Sequence, residues 1–249
     1  MNVNLEYCDP FDITERGIWM KIEHCGRYLY ACDRLTELRC KLVTDAACAS
    51  GYGSLMLANA GLQVSGLDIN NDYLAIARSK SDKMRNNFFQ IDFDNDPFPS
   101  SIVNQDAIVC FETIEHVSQP MVLLNKIYCS LKEGGTLLLS FPNAAYEKFD
   151  EKGNNKDPYH KHIFQKADIL SMLKETGFHL RNKILGQSLC NIAYSFQSKV
   201  QKEGKISEDS INALFLYDSQ SILNYSLFLG YPNEFQVDDT YSYIIEASK

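Results

Sequence analysis

Two acidic residues and a histidine are spaced so that they could act together. Glu112, Glu115 and His116 lie in the run from Phe111 to Val117, after an apolar stretch. If this run is helical, the three side chains share one face, because they stand at i, i+3 and i+4. Such a face could bind a divalent metal or offer His116 as a general base. Alternatively, Glu115 and His116 only cap a turn between a strand and a helix.

A loop of small residues follows the first predicted strand, at 41–46. Small side chains let backbone N–H groups approach a ligand at the carboxyl edge of a parallel sheet. The loop has neither the phosphate-binding P-loop pattern nor the dinucleotide glycine pattern, so ATP and NAD are poorly supported. A tight turn without a ligand is the alternative. The loop residues are Ala46, Ala47, Cys48, Ala49, Ser50, Gly51, Tyr52 and Gly53.

The elements that must position these residues alternate along the chain. Helices are predicted at 54–60, 71–83, 120–131 and 166–176, with one or two more over 14–38. Alternation of strands and helices favours a Rossmann-like α/β fold, a doubly wound, mostly parallel seven-stranded sheet with helical N-terminal and C-terminal additions. The predicted strands are 41–46, 63–68, 87–90, 105–111, 135–141, 178–185 and 240–247.

The charge and the hydropathy pattern limit the partners. The chain of 249 residues has 24 Lys and Arg against 32 Asp and Glu, a net charge of −8. This sign makes nucleic acid an unlikely partner, since phosphate backbones attract basic surfaces. We expect no membrane span and no signal peptide, and therefore a cytoplasmic protein. The oligomeric state is not defined by the sequence.

Residues 22–185 resemble the class I S-adenosylmethionine methyltransferases. The first motif of that family runs acidic-x-Gly-x-Gly-x-Gly; here Asp45 matches the acid, and Ala47 and Ala49 replace two glycines. An added methyl group can clash where a glycine has a positive φ angle. The acid that ends the second strand and holds the ribose hydroxyls in the family is matched by Asp68.

The resemblance implies S-adenosylmethionine as cofactor and a set of residues around it. Asp92 matches the acid that faces the adenine amino group, and Phe93 could pack on the purine. A solvated loop carboxylate is the alternative for Asp92. The implied cofactor-binding residues are Asp45, Ala47, Cys48, Ala49, Gly51, Asp68, Ile69, Asp92, Phe93 and Phe111.

Two further segments extend the resemblance. Residues 23–28 are similar to an E-H-x-x-R-Y stretch of bacterial methyltransferases associated with surface-glycan gene clusters. Arg27 and Tyr28 would close over the cofactor, with a packed helix as the alternative. This similarity implies O-methylation of a sugar or glycan hydroxyl and a small-molecule or glycan acceptor.

The E-x-x-E-H segment resembles methyltransferases that modify the 3′-terminal ribose of small RNAs and bind a divalent metal. The resemblance implies Glu112, Glu115, His116 and His160 as ligands of Mg, Mn, Zn or Fe, with His162 as a competitor for His160. Without a metal, His116, His160 or His162 would serve as the catalytic base. An RNA ribose 2′-O-methyltransferase is therefore an alternative function, although the acidic charge disfavours it.

We expect an N-terminal helical cap at 1–40 and a methyltransferase domain at 41–249 with an inserted helical segment at 188–237. The best helical stretch of that insertion is 207–217. A methyltransferase-like interaction module without catalysis is a further alternative, since a fold does not guarantee an activity.

Overall fold

The computed structural model describes residues 8–12, 17–82, 87–153, 155–188, 203, 219–234 and 237–249. Seven strands in this part of the chain form one sheet in the order β3-β2-β1-β4-β5-β7-β6, in which β7 runs antiparallel to both neighbours. The other neighbouring pairs are parallel. The Rossmann-like, mostly parallel sheet predicted from the sequence is confirmed. The strands are β1 Leu42–Ala46, β2 Gln63–Asp68, β3 Phe88–Gln90, β4 Gln105–Phe111, β5 Leu131–Pro142, β6 His179–Gln187 and β7 Ser242–Ser248.

The helices begin and end at residues that suit these positions. The side chain of Asn70 accepts hydrogen bonds from two backbone N–H groups of the first turn of the third helix, and Gly177 ends the fifth with a φ of 103°. None of the described helices is long and apolar enough to cross a membrane. The helices are α1 Ile18–Glu37, α2 Tyr52–Asn59, α3 Asn71–Lys80, α4 Pro120–Ser130, α5 Lys166–Thr176 and α6 Ser219–Leu229.

Strand alternation divides the core into two layers. On β4, Ile108 and Cys110 pack with residues of α4 and α5, whereas Ala107 and Val109 pack with residues of α1, α2 and α3. Successive side chains of a strand point to opposite faces, so the apolar run of β4 is covered on both sides. The sheet is thus buried between two helical layers, and its carboxyl edge is left for a site.

The N-terminal helix is joined to the C-terminal part of the chain. A Cβ atom on Gly26 of α1 would lie 2.3 Å from the carbonyl oxygen of Gly230, so only a glycine permits this contact. Beside it, the buried Gln187 donates from Nε2 to the carbonyl oxygens of Glu23 and Gly230. Its Oε1 accepts a hydrogen bond from Arg27 at 2.9 Å. These contacts attach α1 to the end of β6 and to the residues after α6.

Several predicted bounds differ from the structure. Residues 18–37 form one helix, β5 begins four residues before the predicted start, and the third helix ends at Lys80. Most of the predicted insertion, including the helical stretch at 207–217, lies outside the described residues. The proposed domain limits therefore stay a prediction.

Candidate active site

A cavity of about 1060 Å³ opens at the carboxyl edge of the sheet. It is lined by the loops after five parallel strands, β1 to β5, because these strands all end at the same edge. One end is lined by the loop after β1, and the other end by histidines and aromatic residues. Residues predicted to bind the cofactor that line the cavity are Ala47, Ala49, Asp68, Ile69, Asp92, Phe93 and Phe111.

The loop after β1 has the positive φ angles that glycine favours, although alanine stands at two positions where the family motif has glycine. Ala47 has a φ of 65° and Ala49 a φ of 45°, both in the left-handed region. This conformation costs an L-residue with a Cβ atom about 1–2 kcal/mol. The N–H of Ala49 donates to Asp68 Oδ2 at 2.8 Å, which fixes the loop against the end of β2. The alanines therefore line the cavity in a strained backbone.

Asp68 and Asp92 face the same cavity from neighbouring strand ends. Asp68 is 7% exposed, and its Oδ1 accepts from the N–H of Asn70 at 2.8 Å. Burial raises the pKa of Asp68. The hydrogen bond from Asn95 lowers the pKa of the more exposed Asp92 and so favours its charged form. Two carboxyl groups thus stand where polar groups of a nucleoside could be bound.

Three of the predicted cofactor residues, Asp45, Cys48 and Gly51, do not line the cavity. Asp45 is fully buried behind the loop, where Tyr28 donates to its Oδ1 at 2.9 Å and Ser54 to its Oδ2 at 2.6 Å. Burial raises the pKa of Asp45 to about 7. Gly51 has a φ of 75°, and a Cβ there would lie 2.7 Å from Cβ of Ala77. The three residues support the loop from behind, and their direct contact with a cofactor stays a prediction.

The segment after β4 is a turn and not a helix, so the predicted shared face is wrong. Glu112 has a φ of 46°, which ends the strand with a sharp change of direction. Its N–H donates to Ser140 of β5, and its Oε1 accepts from the hydroxyl of Ser140 at 2.6 Å. The same oxygen lies 3.9 Å from Arg27 Nη1. Tertiary contacts to β5 and α1 therefore hold Glu112 apart from Glu115 and His116.

Glu115, His116 and His160 do come together. One ligand atom from each lies within 4.8 Å of the others, a cluster that does not include Glu112. Backbone N–H groups of Lys161 and His162 donate to the carbonyl oxygen of Glu115 at 2.9 and 3.1 Å. These two bonds hold the later loop against the turn after β4, and they explain why His160 meets His116.

Both histidine rings have one nitrogen in contact with an oxygen. His116 Nδ1 lies 3.1 Å from the carbonyl oxygen of Tyr159, and His160 Nδ1 lies 2.7 Å from Glu147 Oε1. Burial lowers the pKa of His116, which favours its neutral form. Sequence reasoning did not identify Glu147, since it stands alone in an irregular stretch with no motif around it.

His162 lies elsewhere. It does not line the cavity, and its ring stacks on Phe164 with a centroid separation of 5.4 Å. The structure therefore does not support the prediction of His162 as a catalytic base or a competing ligand. Arg27 and Tyr28 of α1 are buried and line the cavity, and their closure over a cofactor stays a prediction.

Aromatic side chains line the end of the cavity near the histidines. The rings of Tyr146 and Tyr241 lie with their centroids 4.6 Å apart, and both face the cavity. Tyr146 is 40% exposed, and its hydroxyl donates to the carbonyl oxygen of Asp239. An aromatic ring combines an apolar face with a polar edge and suits an amphipathic ligand.

Comparison with known proteins agrees with this geometry. Residues 44–139 match a family model described as a methyltransferase domain. A probable S-adenosylmethionine-dependent methyltransferase of Mycolicibacterium smegmatis is 25% identical over 177 residues, 69% of this chain and 63% of the relative. A ubiquinone biosynthesis O-methyltransferase of Hydrogenovibrio crunogenus is 28% identical over 153 residues, 57% of this chain and 63% of the relative. The chain thus spans less than two thirds of the length of these two relatives.

A solved structure shares the fold. Magnesium protoporphyrin IX methyltransferase from Synechocystis with bound S-adenosylmethionine superposes with a TM-score of 0.55 and 17% identity, over 95% of this chain and 88% of that one. Residues 44–139 thus resemble a methyltransferase domain, and the fold is shared with a solved methyltransferase structure. The acceptor is not defined by these similarities.

Proposed function

We propose that this chain transfers a methyl group from S-adenosylmethionine to an oxygen atom of a sugar or glycan. The observation that carries the proposal is that one cavity joins the loop after β1 and the strand-end carboxylates to His116 and His160. Transfer to oxygen is also consistent with the relatives named as ubiquinone biosynthesis O-methyltransferases.

The cavity has groups suited to each part of the cofactor. Each oxygen of Asp68 accepts one backbone hydrogen bond and retains capacity for a ribose hydroxyl. Asp92 and Phe93 would lie beside the purine, and Phe111 and Arg27 would border the rest of the cofactor. When bound, the cofactor supplies a methyl group attached to a sulfonium sulfur. The leaving group is a neutral thioether, which needs no acid catalyst.

Activation must fall on the acceptor, because a sugar hydroxyl is a poor nucleophile near neutral pH. His160, with His116 beside it, would take the proton of the hydroxyl as general base. The acceptor oxygen forms a bond to the methyl carbon while the carbon–sulfur bond breaks and its electron pair remains on sulfur. The proton passes to the imidazole and then to solvent.

The charges of the cavity favour a neutral acceptor over a polyanion. The lining includes eight Asp and Glu side chains but only three Lys and Arg. Two of these cations are already engaged, Arg27 with Gln187 and Lys161 with Asp94 and Ser118. A nucleic acid would need basic groups for the phosphates next to the acceptor ribose. RNA therefore remains the less favoured acceptor.

A divalent cation at Glu115, His116 and His160 is a second candidate for the activation of the acceptor, favoured by the convergence of their ligand atoms. One carboxylate and two imidazoles suit Mn, Zn or Fe better than Mg, which prefers oxygen ligands. A bound cation would lower the pKa of a coordinated hydroxyl. Glu112, the fourth predicted ligand, is not in this cluster.

The test uses His160→Ala and, as a matched control, His179→Ala on the exposed part of β6. Methyl transfer from labelled S-adenosylmethionine is measured with free and nucleotide-activated sugars, a catechol and an RNA oligonucleotide. We expect transfer to the sugars and a loss of about 10²–10⁴-fold in His160→Ala. Calorimetry with S-adenosylhomocysteine should give similar affinities for both variants and the wild type.

Other results would contradict specific parts of the proposal. Absence of S-adenosylhomocysteine binding would favour the module without catalysis, and transfer to RNA alone would favour the alternative acceptor. Metal found in the purified protein, together with loss of transfer after chelation, would replace the general base with the cation.

A further inference from the structure

A carboxylate and an amide form hydrogen bonds in series from the Nδ1 side of His160. Glu147 Oε1 lies 2.7 Å from His160 Nδ1, and Glu147 Oε2 accepts from Asn155 Nδ2 at 2.9 Å. The side chains of Glu147 and His160 are only 8% and 15% exposed. The three residues therefore form a largely buried chain of hydrogen bonds that ends at the cavity.

The backbone of this loop sets the direction of each bond. The N–H of Lys156 donates to the carbonyl oxygen of Lys148 at 2.7 Å, and Phe149 and Asn155 form an antiparallel bridge. Asn155 Oδ1 accepts from the N–H of Asp157 at 2.9 Å. Because this oxygen is held by an N–H, the amide nitrogen of Asn155 must point to Glu147. The amide orientation is thus determined by the fold.

The same reasoning assigns the proton on the ring. A carboxylate only accepts hydrogen bonds, so Nδ1 of His160 must carry the hydrogen of the bond to Glu147. In the neutral ring the lone pair is then on Nε2. The charged or titratable groups that face this side of the ring are Asp157, whose Oδ2 is 3.9 Å from Nε2, and His116 and Glu115 of the turn after β4. The distance to Asp157 is too long for a hydrogen bond.

We propose that Glu147 and Asn155 are positioning residues that keep a hydrogen on Nδ1 of His160, so that the lone pair of the uncharged ring lies on Nε2 and is available to the acceptor. The use of that lone pair rests on the proposed function, whereas the tautomer does not. Asn155 acts on Glu147, and Glu147 acts on the ring. A buried carboxylate behind a histidine orients catalytic bases in other enzymes in the same way.

The variant Glu147→Gln tests the direction of the bonds. Its amide has one acceptor and one donor end, and Asn155 requires the acceptor. The N–H end of the amide then faces His160 Nδ1. Because Nδ1 must accept this hydrogen bond, the hydrogen of the ring moves to Nε2. The double variant Glu147→Gln with Asn155→Asp restores the match, because the new carboxylate accepts from the new amide and still accepts from the N–H of Asp157.

The readout is the nitrogen chemical shifts of the imidazoles in protein labelled with ¹⁵N-histidine. The chain has five histidines, and the signals of His160 are assigned by their loss in His160→Ala. We expect the Nδ1–H form in the wild type, the Nε2–H form in Glu147→Gln and the Nδ1–H form again in the double variant. Methyl transfer should fall about 10–100-fold in Glu147→Gln and recover in the double variant, with S-adenosylhomocysteine affinity unchanged.

Three results would overturn the proposal: a hydrogen on Nε2 instead of Nδ1 in the uncharged His160 ring of the wild type, an unchanged tautomer in Glu147→Gln, or a double variant that does not restore the tautomer. If Glu147 had only a structural role, Glu147→Gln would lower the thermal stability, but the hydrogen of His160 would stay on the same ring nitrogen. If the tautomer exchanges as expected but no transfer to any acceptor is found in the wild type, the proposed function fails and the positioning role stands.

Discussion

The two alanines of the loop after β1 have a left-handed backbone conformation that alanine disfavours. Ala47 and Ala49 have positive φ angles, although each carries a Cβ atom that disfavours this region. The loop keeps the shape because Asp68 binds the N–H of Ala49 and because the surrounding core is packed. The backbone conformation is therefore retained at a cost in stability.

Replacing either alanine with glycine should relieve this cost. We expect Ala47→Gly and Ala49→Gly each to raise the free energy of unfolding by about 0.5–1 kcal/mol, after the larger entropy of glycine in the unfolded chain is subtracted. Urea unfolding followed by circular dichroism measures the change. Ala46→Gly, in the buried end of β1, is the matched control and should lower stability by about 0.5–1 kcal/mol. Equal losses in all three variants would show that the loop is not strained.

The acidic residues at the strand ends show how far the position of a side chain can be predicted from a sequence motif. Asp68 and Asp92 line the cavity, because each stands at or just after the end of a parallel strand and so reaches the common edge. Asp45 follows the same motif, but its side chain points to Tyr28 and Ser54 inside the core. Motif position alone does not distinguish an acid in the cavity from an acid behind it.

At the scale of elements, α1 is held to the sheet by a partly buried ion pair. The guanidinium of Arg34 binds Glu246 of β7 through Nε–Oε2 and Nη2–Oε1 contacts of 2.7 and 3.0 Å. Glu246 is 4% exposed, whereas Glu37, which also contacts Arg34, is largely exposed. The two partners of one arginine therefore differ in burial.

Loss of the arginine should leave a buried carboxylate without its cation. We expect Arg34→Met to lower the free energy of unfolding by about 2–4 kcal/mol. Glu37→Gln, which removes only the exposed partner, should cost less than about 0.5 kcal/mol. The double variant Arg34→Met with Glu246→Met should recover much of the loss, as no charge is left buried. Chemical denaturation of the four proteins gives the comparison, and similar losses for the two single variants would contradict the assignment.

For the segment after β4, the structure shows the turn that the sequence left as the alternative to a helix. The spacing of Glu112, Glu115 and His116 suits a helix, but Glu112 continues the pairing with Ser140 of β5 before the chain turns. The hydrogen bonds from the N–H of Glu112 to the neighbouring strand outweigh the helical preference of a segment of only six residues. A pattern this short is therefore decided by its tertiary neighbours.

For the whole molecule, the burial of Asp45 makes stability depend on pH. The pKa of Asp45 is about 7 in the folded protein and about 3.9 in an unfolded chain. The folded state therefore binds more protons between these values, and the contribution of Asp45 to stability is lost as pH rises through about 7.

The variant Asp45→Asn should remove this part of the pH dependence. We expect the free energy of unfolding of the variant minus that of the wild type to become more positive as pH rises from 5 to 8, because only the wild type loses the contribution of Asp45. Urea unfolding at several pH values measures the difference. Parallel pH profiles of the two proteins would show that Asp45 is not the group responsible.

The sequence by itself determined the order of strands and helices, and with it the parallel sheet edge where the loop after β1, Asp68 and Asp92 meet. These features follow from local periodicity and from the rule that parallel strands end together. Only the tertiary structure decided that Glu112 lies outside the cluster of Glu115, His116 and His160 and that Glu147 contacts His160. It also brought His116 and His160 together across the chain. Such contacts depend on how separate loops pack, and no local pattern contains that information.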